Sequence, residues 1–223
     1  MIDRLGGVAG WLKVGSELFT AAGPDAIELA ARSASVFLDT KLHDIPNTVA
    51  SAVRSATRSG VSMLTVHSAG GGAMLRAARD AAEDASAAYG LERPVLVGVT
   101  VLTSLSATAL KEVGVEVESV QQQVERLADL AIANGLDGIV ASPLEAAALR
   151  SRRGDALRIV TPGIRQTVHA ADDQIRTATA TQAIDAGADV LVVGRPILKA
   201  DDPGRAAREF VDEIERALAE ITE

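Results

Sequence analysis

The chain has 223 residues, no cysteine and a formal net charge of −8. With 48% hydrophobic residues but only 2% aromatic ones, the core must be built from Ala, Val, Leu and Ile, as in parallel strands covered by helices. These figures exclude a disulfide framework, a thiolate nucleophile and a cysteine metal site, and the acidity speaks against a nucleic-acid or membrane surface. No apolar run nears the ~18 residues of a bilayer span, and Met1–Gly7 lacks the basic-then-apolar order of a secretory signal, so a cytoplasmic protein is expected.

Strand-like and helix-like segments alternate along the whole chain. The first strand is expected at Trp11–Gly15, with Lys13 set inside an otherwise apolar run. A helix over Pro24–Arg32 follows, with Pro at a first-turn position where it wastes no donor. The second strand is expected at Ser35–Asp39. Pro46 and Asn47 then open a helix to Ser59, with Asn47 as a cap and Val49, Val53 and Ala56 at helical spacing.

Further strands are expected at Ser62–His67, Val95–Val101, Gly138–Ala141, Leu157–Thr161 and Asp189–Gly194. The intervening helices are Ala73–Tyr89 and Val117–Asn134, the latter stopped by Gly135, and Pro203–Ile221 closes the chain. No linker or low-complexity stretch divides this series, so one domain over residues 1–223 is expected. The alternation fits a (β/α)₈ barrel or an open doubly wound sheet. No Gly-x-Gly-x-x-Gly follows the first strand, and charged residues gather at the ends of several strands, which favours the barrel. Seven strands are visible rather than eight.

The densest chemistry lies in Phe37-Leu38-Asp39-Thr40-Lys41-Leu42-His43-Asp44-Ile45-Pro46-Asn47-Thr48. Asp39 and Lys41 are two apart, so on a strand they share one face. With Lys13 on the preceding strand they would form a Lys–Asp–Lys array in which each ammonium stays charged beside the carboxylate. A structural salt bridge is the plainer use of the same pair. Asp44 follows in the loop before the helix.

Two later loops suit an anion. Val160-Thr161-Pro162-Gly163-Ile164-Arg165 ends one strand, and Val192-Val193-Gly194-Arg195-Pro196 ends the last. Loops after the final strands of barrels commonly bind phosphate; Gly194 lets backbone amides approach and Arg195 offers a two-pronged donor. Gln174 lies in the polar loop between them. Hydroxyls at Thr103 and Ser104 suit either a polar ring edge or a helix cap. His43, His67 and His169 show no metal-ligand spacing, so no metal is expected. Ser68-Ala69-Gly70-Gly71-Gly72 reads as a flexible strand-to-helix turn, with a phosphate cradle as the alternative.

Together these residues resemble the orotidine 5′-phosphate decarboxylase family. The likeness runs through Lys13-Val14-Gly15, the Asp39–Thr48 block, Val66-His67, Thr100–Ser104, Thr161–Arg165, Asp173-Gln174 and Val193–Pro196. Asp-x-Lys-x-x-Asp is shared with sugar-phosphate decarboxylases and synthases of the wider group; His43-Asp44-Ile45-Pro46-Asn47-Thr48 is more particular to the orotidylate enzyme. The resemblance implies a homodimeric, cofactor-free (β/α)₈ barrel with sites shared between subunits, turning orotidine 5′-monophosphate into uridine 5′-monophosphate. It implies that Asp39 lies beside the substrate carboxylate, that Lys41 protonates C6, and that Lys13 contacts ribose. It further implies that Asp44, Ile45 and Thr48 reach the partner's site and that Thr103 contacts the pyrimidine. Gln174, Gly194, Arg195 and Arg165 would take the phosphate.

Family members begin with a strand ending in a Leu-Asp-like pair, whereas Met1–Gly7 matches the helix after that strand. The first strand and its ribose-binding Asp are therefore expected to be missing. A non-catalytic nucleotide-phosphate-binding dimer and an aldolase-type or sugar-phosphate lyase, using a strand-end lysine as a Schiff base, are the alternatives.

Overall fold

Short β-branched runs bounded by turns become strands, and the alanine-rich stretches between them become helices. The computed structural model describes residues 2–166 and 176–222, so Gln174 and His169 lie outside the described residues. Among these, the strands are β1 (Trp11–Gly15), β2 (Ser35–Leu42), β3 (Met63–His67), β4 (Val95–Val99), β5 (Gly138–Val140), β6 (Arg158–Pro162) and β7 (Val190–Val192). All seven expected strands form, in the expected order. The chain falls into two compact units: Met1–Val99 with Leu130–Gly138, and Thr100–Asp129 with Ile139–Glu223.

In the first unit β1 pairs with β2, β2 with β3 and β3 with β4, all parallel. Val14, Val36, Met63, Leu64, Val66, Leu96 and Val97 are buried, so the strand interiors are apolar on both faces. The helices Pro46–Arg58 and Gly71–Tyr89 cover them, burying Val49, Val53, Met74, Leu75 and Ala78. Each fully buried aliphatic side chain of this kind is worth roughly 1.5–3 kcal/mol. Gly98 admits no side chain, because a Cβ there would stand 2.6 Å from Ser68 Oγ and 2.9 Å from Ala131 Cβ.

The second unit pairs β6 with β7, and Ala141 donates its N–H to Val160 O at 3.1 Å. Its core includes Ile164, Ala180, Ala183, Ala188 and Phe210. The capping box that sequence rules favour occurs here: Thr179 and Gln182 satisfy each other's backbone at the start of the Ala180–Asp185 helix.

Both units use the same device to set strand register. Asp137, just before β5, donates its N–H to Leu96 O, accepts the Leu96 N–H at 2.7 Å and pairs with Arg93. Asp189, just before β7, donates to Ile159 O, accepts the Ile159 N–H at 2.6 Å and pairs with Arg150. A strand-opening carboxylate thus satisfies a backbone donor that the ladder leaves over.

Several sequence expectations need correction. β2 runs on to Leu42, and β4 stops at Val99. A helix over Ser16–Ala22, not foreseen because its short run shows no apolar stripe, follows β1 directly. Asn47 is no cap: Ile45 holds that position and the helix starts at Pro46, whose fixed φ suits a first turn. The single helix expected at Val117–Asn134 is Val120–Ala133, preceded by Ala107–Glu112.

Candidate active site

β2 is not a regular strand where its charges lie. Leu38 pairs with Leu64 and Leu42 with Val66, so three residues of β2 stand opposite Thr65 alone. At this bulge Lys41 takes φ 53°, the one non-glycine at positive φ among the described residues. A residue with a Cβ adopts that conformation at a cost of about 1–2 kcal/mol, so its surroundings must hold it there. Thr65 Oγ1 accepts the Lys41 N–H at 2.8 Å.

The expected Lys–Asp–Lys array forms on this frame. Lys41 Nζ lies 2.8 Å from Asp39 Oδ1, and Lys13 Nζ lies 3.4 Å from Asp39 Oδ2. Thr65 Oγ1 donates to Asp39 Oδ1 at 3.1 Å. Gly15 helps admit Lys13, since a Cβ there would stand 3.2 Å from its Nζ. Asp39 is largely buried while both lysines remain partly exposed. Two cations against one anion leave an excess positive charge that can meet an anionic reactant. The two side chains share a face of β2 as expected, at a bulge that the sequence did not announce.

Beside Lys41, His43 and His67 stack with ring centroids 5.1 Å apart. Burial, then the neighbouring His43 and Lys41, lowers the His67 pKa from 6.5 to about 4, so this imidazole is neutral near pH 7. Its Nδ1 accepts the Ala69 N–H at 3.3 Å, which leaves the proton on Nε2. The run Ser68–Gly70 is a 3₁₀ turn leading into the Gly71–Tyr89 helix.

Asp44, Ile45 and Thr48 are exposed, and Ile45 shows 66% of its surface. Asp44 Oδ1 accepts the Ile45 N–H at 2.6 Å and makes no ion pair among the described residues. The array of this chain is therefore Lys13, Asp39 and Lys41, with Asp44 outside it.

In the second unit Ser106, not Thr103 or Ser104, caps the Ala107–Glu112 helix, accepting from Ala109 N at 3.2 Å. Thr103 is thus left on the turn with no capping duty. Arg165 is buried, and its Nη1 donates to Ile164 O at 2.9 Å. Gly194 stands at the start of the short Arg195–Leu198 helix with open space where a Cβ would point, and Arg195 is half-buried.

Sequence reasoning missed two groups. Thr65 carries the one signal that was available, a hydroxyl in the apolar run Met63-Leu64-Thr65-Val66. Arg176 and Glu145 pair at 3.1 Å while buried, and Arg176 Nη2 donates to Val101 O and Leu102 O. Burial lowers the Arg176 pKa, opposed by Glu145.

The family model described as "Orotidine 5'-phosphate decarboxylase / HUMPS family" matches residues 1–210. The chain belongs to this family. Among curated relatives, the orotidine 5′-phosphate decarboxylase of Moorella thermoacetica is 52% identical over 217 residues, covering 96% of this chain and 86% of the relative. That of Trichlorobacter lovleyi is 49% identical over 213 residues, covering 95% and 87%. Among solved structures, the orotidine 5′-phosphate decarboxylase from Lactobacillus acidophilus superposes with a TM-score of 0.80 at 38% identity, covering 91% of this chain and 85% of that one. The fold class is the α/β barrel type of the orotidine 5′-phosphate decarboxylase family, with parallel strands alternating with helices, as expected from the sequence.

Proposed function

We propose that this chain decarboxylates orotidine 5′-monophosphate to uridine 5′-monophosphate, a step of de novo pyrimidine synthesis, using no cofactor. The observation that carries the reading is the Lys13–Asp39–Lys41 array in a chain of this family. Loss of carbon dioxide leaves the electron pair of the broken bond on C6 of the pyrimidine, in an orbital the ring delocalises poorly. The Lys41 ammonium, fixed by Asp39, stabilises that charge and then donates its proton to C6; solvent returns a proton to the amine. Asp39, held by two cations, presents fixed negative charge beside the substrate carboxylate.

The phosphate is remote from the bond that breaks, so holding it stabilises the reactive arrangement without touching C6. We assign Gly194, Arg195 and Gln174 to it, with Arg165, and Thr103 to the pyrimidine. Open space at Gly194 and the Thr103 turn, free of capping duty, support these roles. Lys13 additionally contacts ribose.

The enzyme is read as a cytoplasmic homodimer in which Asp44, Ile45 and Thr48 complete the partner's site. The exposure of this whole segment, next to an array that lacks Asp44, supports that reading. Among the described residues no helix is long and apolar enough to cross a membrane.

Loss of orotidylate absorbance on adding purified protein is the direct test; a protein that leaves the absorbance unchanged overturns the reading. Subunit sharing is tested by mixing Lys41→Ala with Asp44→Ala protein. Each is inactive alone, and random mixed dimers hold one intact site, restoring about a quarter of wild-type activity if sites are shared. Recovery of none refutes the sharing.

A further inference from the structure

We propose that Thr65 is a positioning residue of this site, whose hydroxyl ties the left-handed backbone at Lys41 and the Asp39 carboxylate into one rigid unit. The proposal deepens the decarboxylase reading and rests on it for its kinetic consequences, while its structural consequence stands apart.

The bulge creates the need. With Leu38 opposite Leu64 and Leu42 opposite Val66, residues 39–41 lose the regular ladder, and the Lys41 N–H needs another acceptor. Thr65 Oγ1 supplies it at 2.8 Å. A threonine hydroxyl has one proton, and here it goes to Asp39 Oδ1 at 3.1 Å. One fully buried side chain therefore fixes the backbone that aims the acid and orients the carboxylate paired with it. β3 holds Thr65 itself, in register with Val97 of β4.

The same bulge offers a contrast. Thr40 Oγ1 is also buried, yet has no hydrogen-bond partner among the described residues. If a hydroxyl served only to fill the bulge, the two threonines would be equivalent. They are not.

The neutral donor also suits the reaction. Once Lys41 gives up its proton, its amine attracts Asp39 Oδ1 less strongly, whereas the Thr65 O–H does not titrate. Asp39 is thus kept in place through the step in which its ion pair weakens.

The test uses Thr65→Val, which keeps the shape without the hydroxyl, Thr65→Ser, which keeps the hydroxyl, and Thr40→Val. Misplacement of the acid by about 1 Å predicts that Thr65→Val lowers kcat about a hundredfold with KM nearly unchanged. Thr65→Ser restores most of kcat, and Thr40→Val leaves it at the wild-type level. Equal kcat in Thr65→Val and wild type, or an equal loss in Thr65→Ser, overturns the proposal. Independently of turnover, amide exchange at Lys41 is slow in wild type and accelerates in Thr65→Val while Leu38 and Leu64 keep their protection. A Lys41 amide that exchanges freely in wild type also overturns it, whether or not Thr65→Val folds. Wild-type protein with a protected Lys41 amide but no turnover of orotidylate refutes the decarboxylase reading and leaves the tie in place.

Discussion

The Lys13–Asp39–Lys41 array of the first unit and the Arg176–Glu145 pair of the second are built from similar charges and put to opposite uses. The side chains of Lys13 and Lys41 are 34% and 36% exposed, and Asp39 14%. Those of Arg176 and Glu145 are 8% and 6% exposed, and Arg176 gives Nη1 to Glu145 and Nη2 to Val101 O and Leu102 O. Water, and hence a ligand, reaches the first set; the second is sealed and serves the backbone. Accessibility, rather than the presence of opposite charges, separates a reacting group from a structural one.

Exchanging the roles of the two sets would break that contrast. The largest effect is expected at Lys41→Ala, which removes the ammonium proposed above as the charge and proton donor for C6 and on that reading lowers kcat by about 10⁴-fold or more. The denaturant midpoint stays near that of wild type, because a partly exposed pair adds little stability. Retained turnover, measured by orotidylate absorbance, would strip Lys41 of its assigned role.

Next comes Glu145→Leu, which leaves the Arg176 guanidinium buried without its carboxylate and costs roughly 3–5 kcal/mol of stability. Urea unfolding reads this directly, and a midpoint equal to wild type would show that the pair is not sealed as described.

A smaller effect belongs to His67. Its pKa is about 4 in the folded chain against an ordinary 6.5, so between these limits the unfolded chain binds more protons. Folding stability contributed by the neutral imidazole is therefore complete above pH 6.5 and declines as pH falls toward 4. His67→Asn, which keeps an acceptor for Ala69 N–H, flattens this part of the Tm-against-pH curve; an unchanged slope would assign it to other groups.

The smallest effect is expected from Arg205→Ala. Arg205 pairs with Glu209 one helical turn away at 3.1 Å, but its side chain is 76% exposed. Loss of this pair changes stability by less than about 0.5 kcal/mol. A larger loss in the same urea assay would mean that exposure is a poor guide to what a charge pair contributes here.

Much of this is legible in the sequence. Lys13, Asp39 and Lys41 were found because charges interrupting apolar strands are costly unless used. The strands themselves are marked by β-branched runs. What escaped was local geometry that depends on a neighbouring strand. Nothing around Lys41 in sequence announces a left-handed residue, since the bulge arises from the offset between β2 and β3. Asn47 looked like a cap by residue type, but Ile45 is the cap and Pro46 starts the helix two residues earlier. Arg176 and Glu145 lie 31 positions apart, beyond any spacing rule.

The order of strands and helices, the aliphatic core and the identity of the charged triad were determined by the sequence alone, because period, composition and the cost of burying charge act along the chain. Tertiary structure alone decided which hydroxyl holds Lys41, which carboxylate is sealed against Arg176, and that His67 is neutral. Each of these depends on burial and on contacts between residues far apart in the chain, and desolvation exists only once the partners have met.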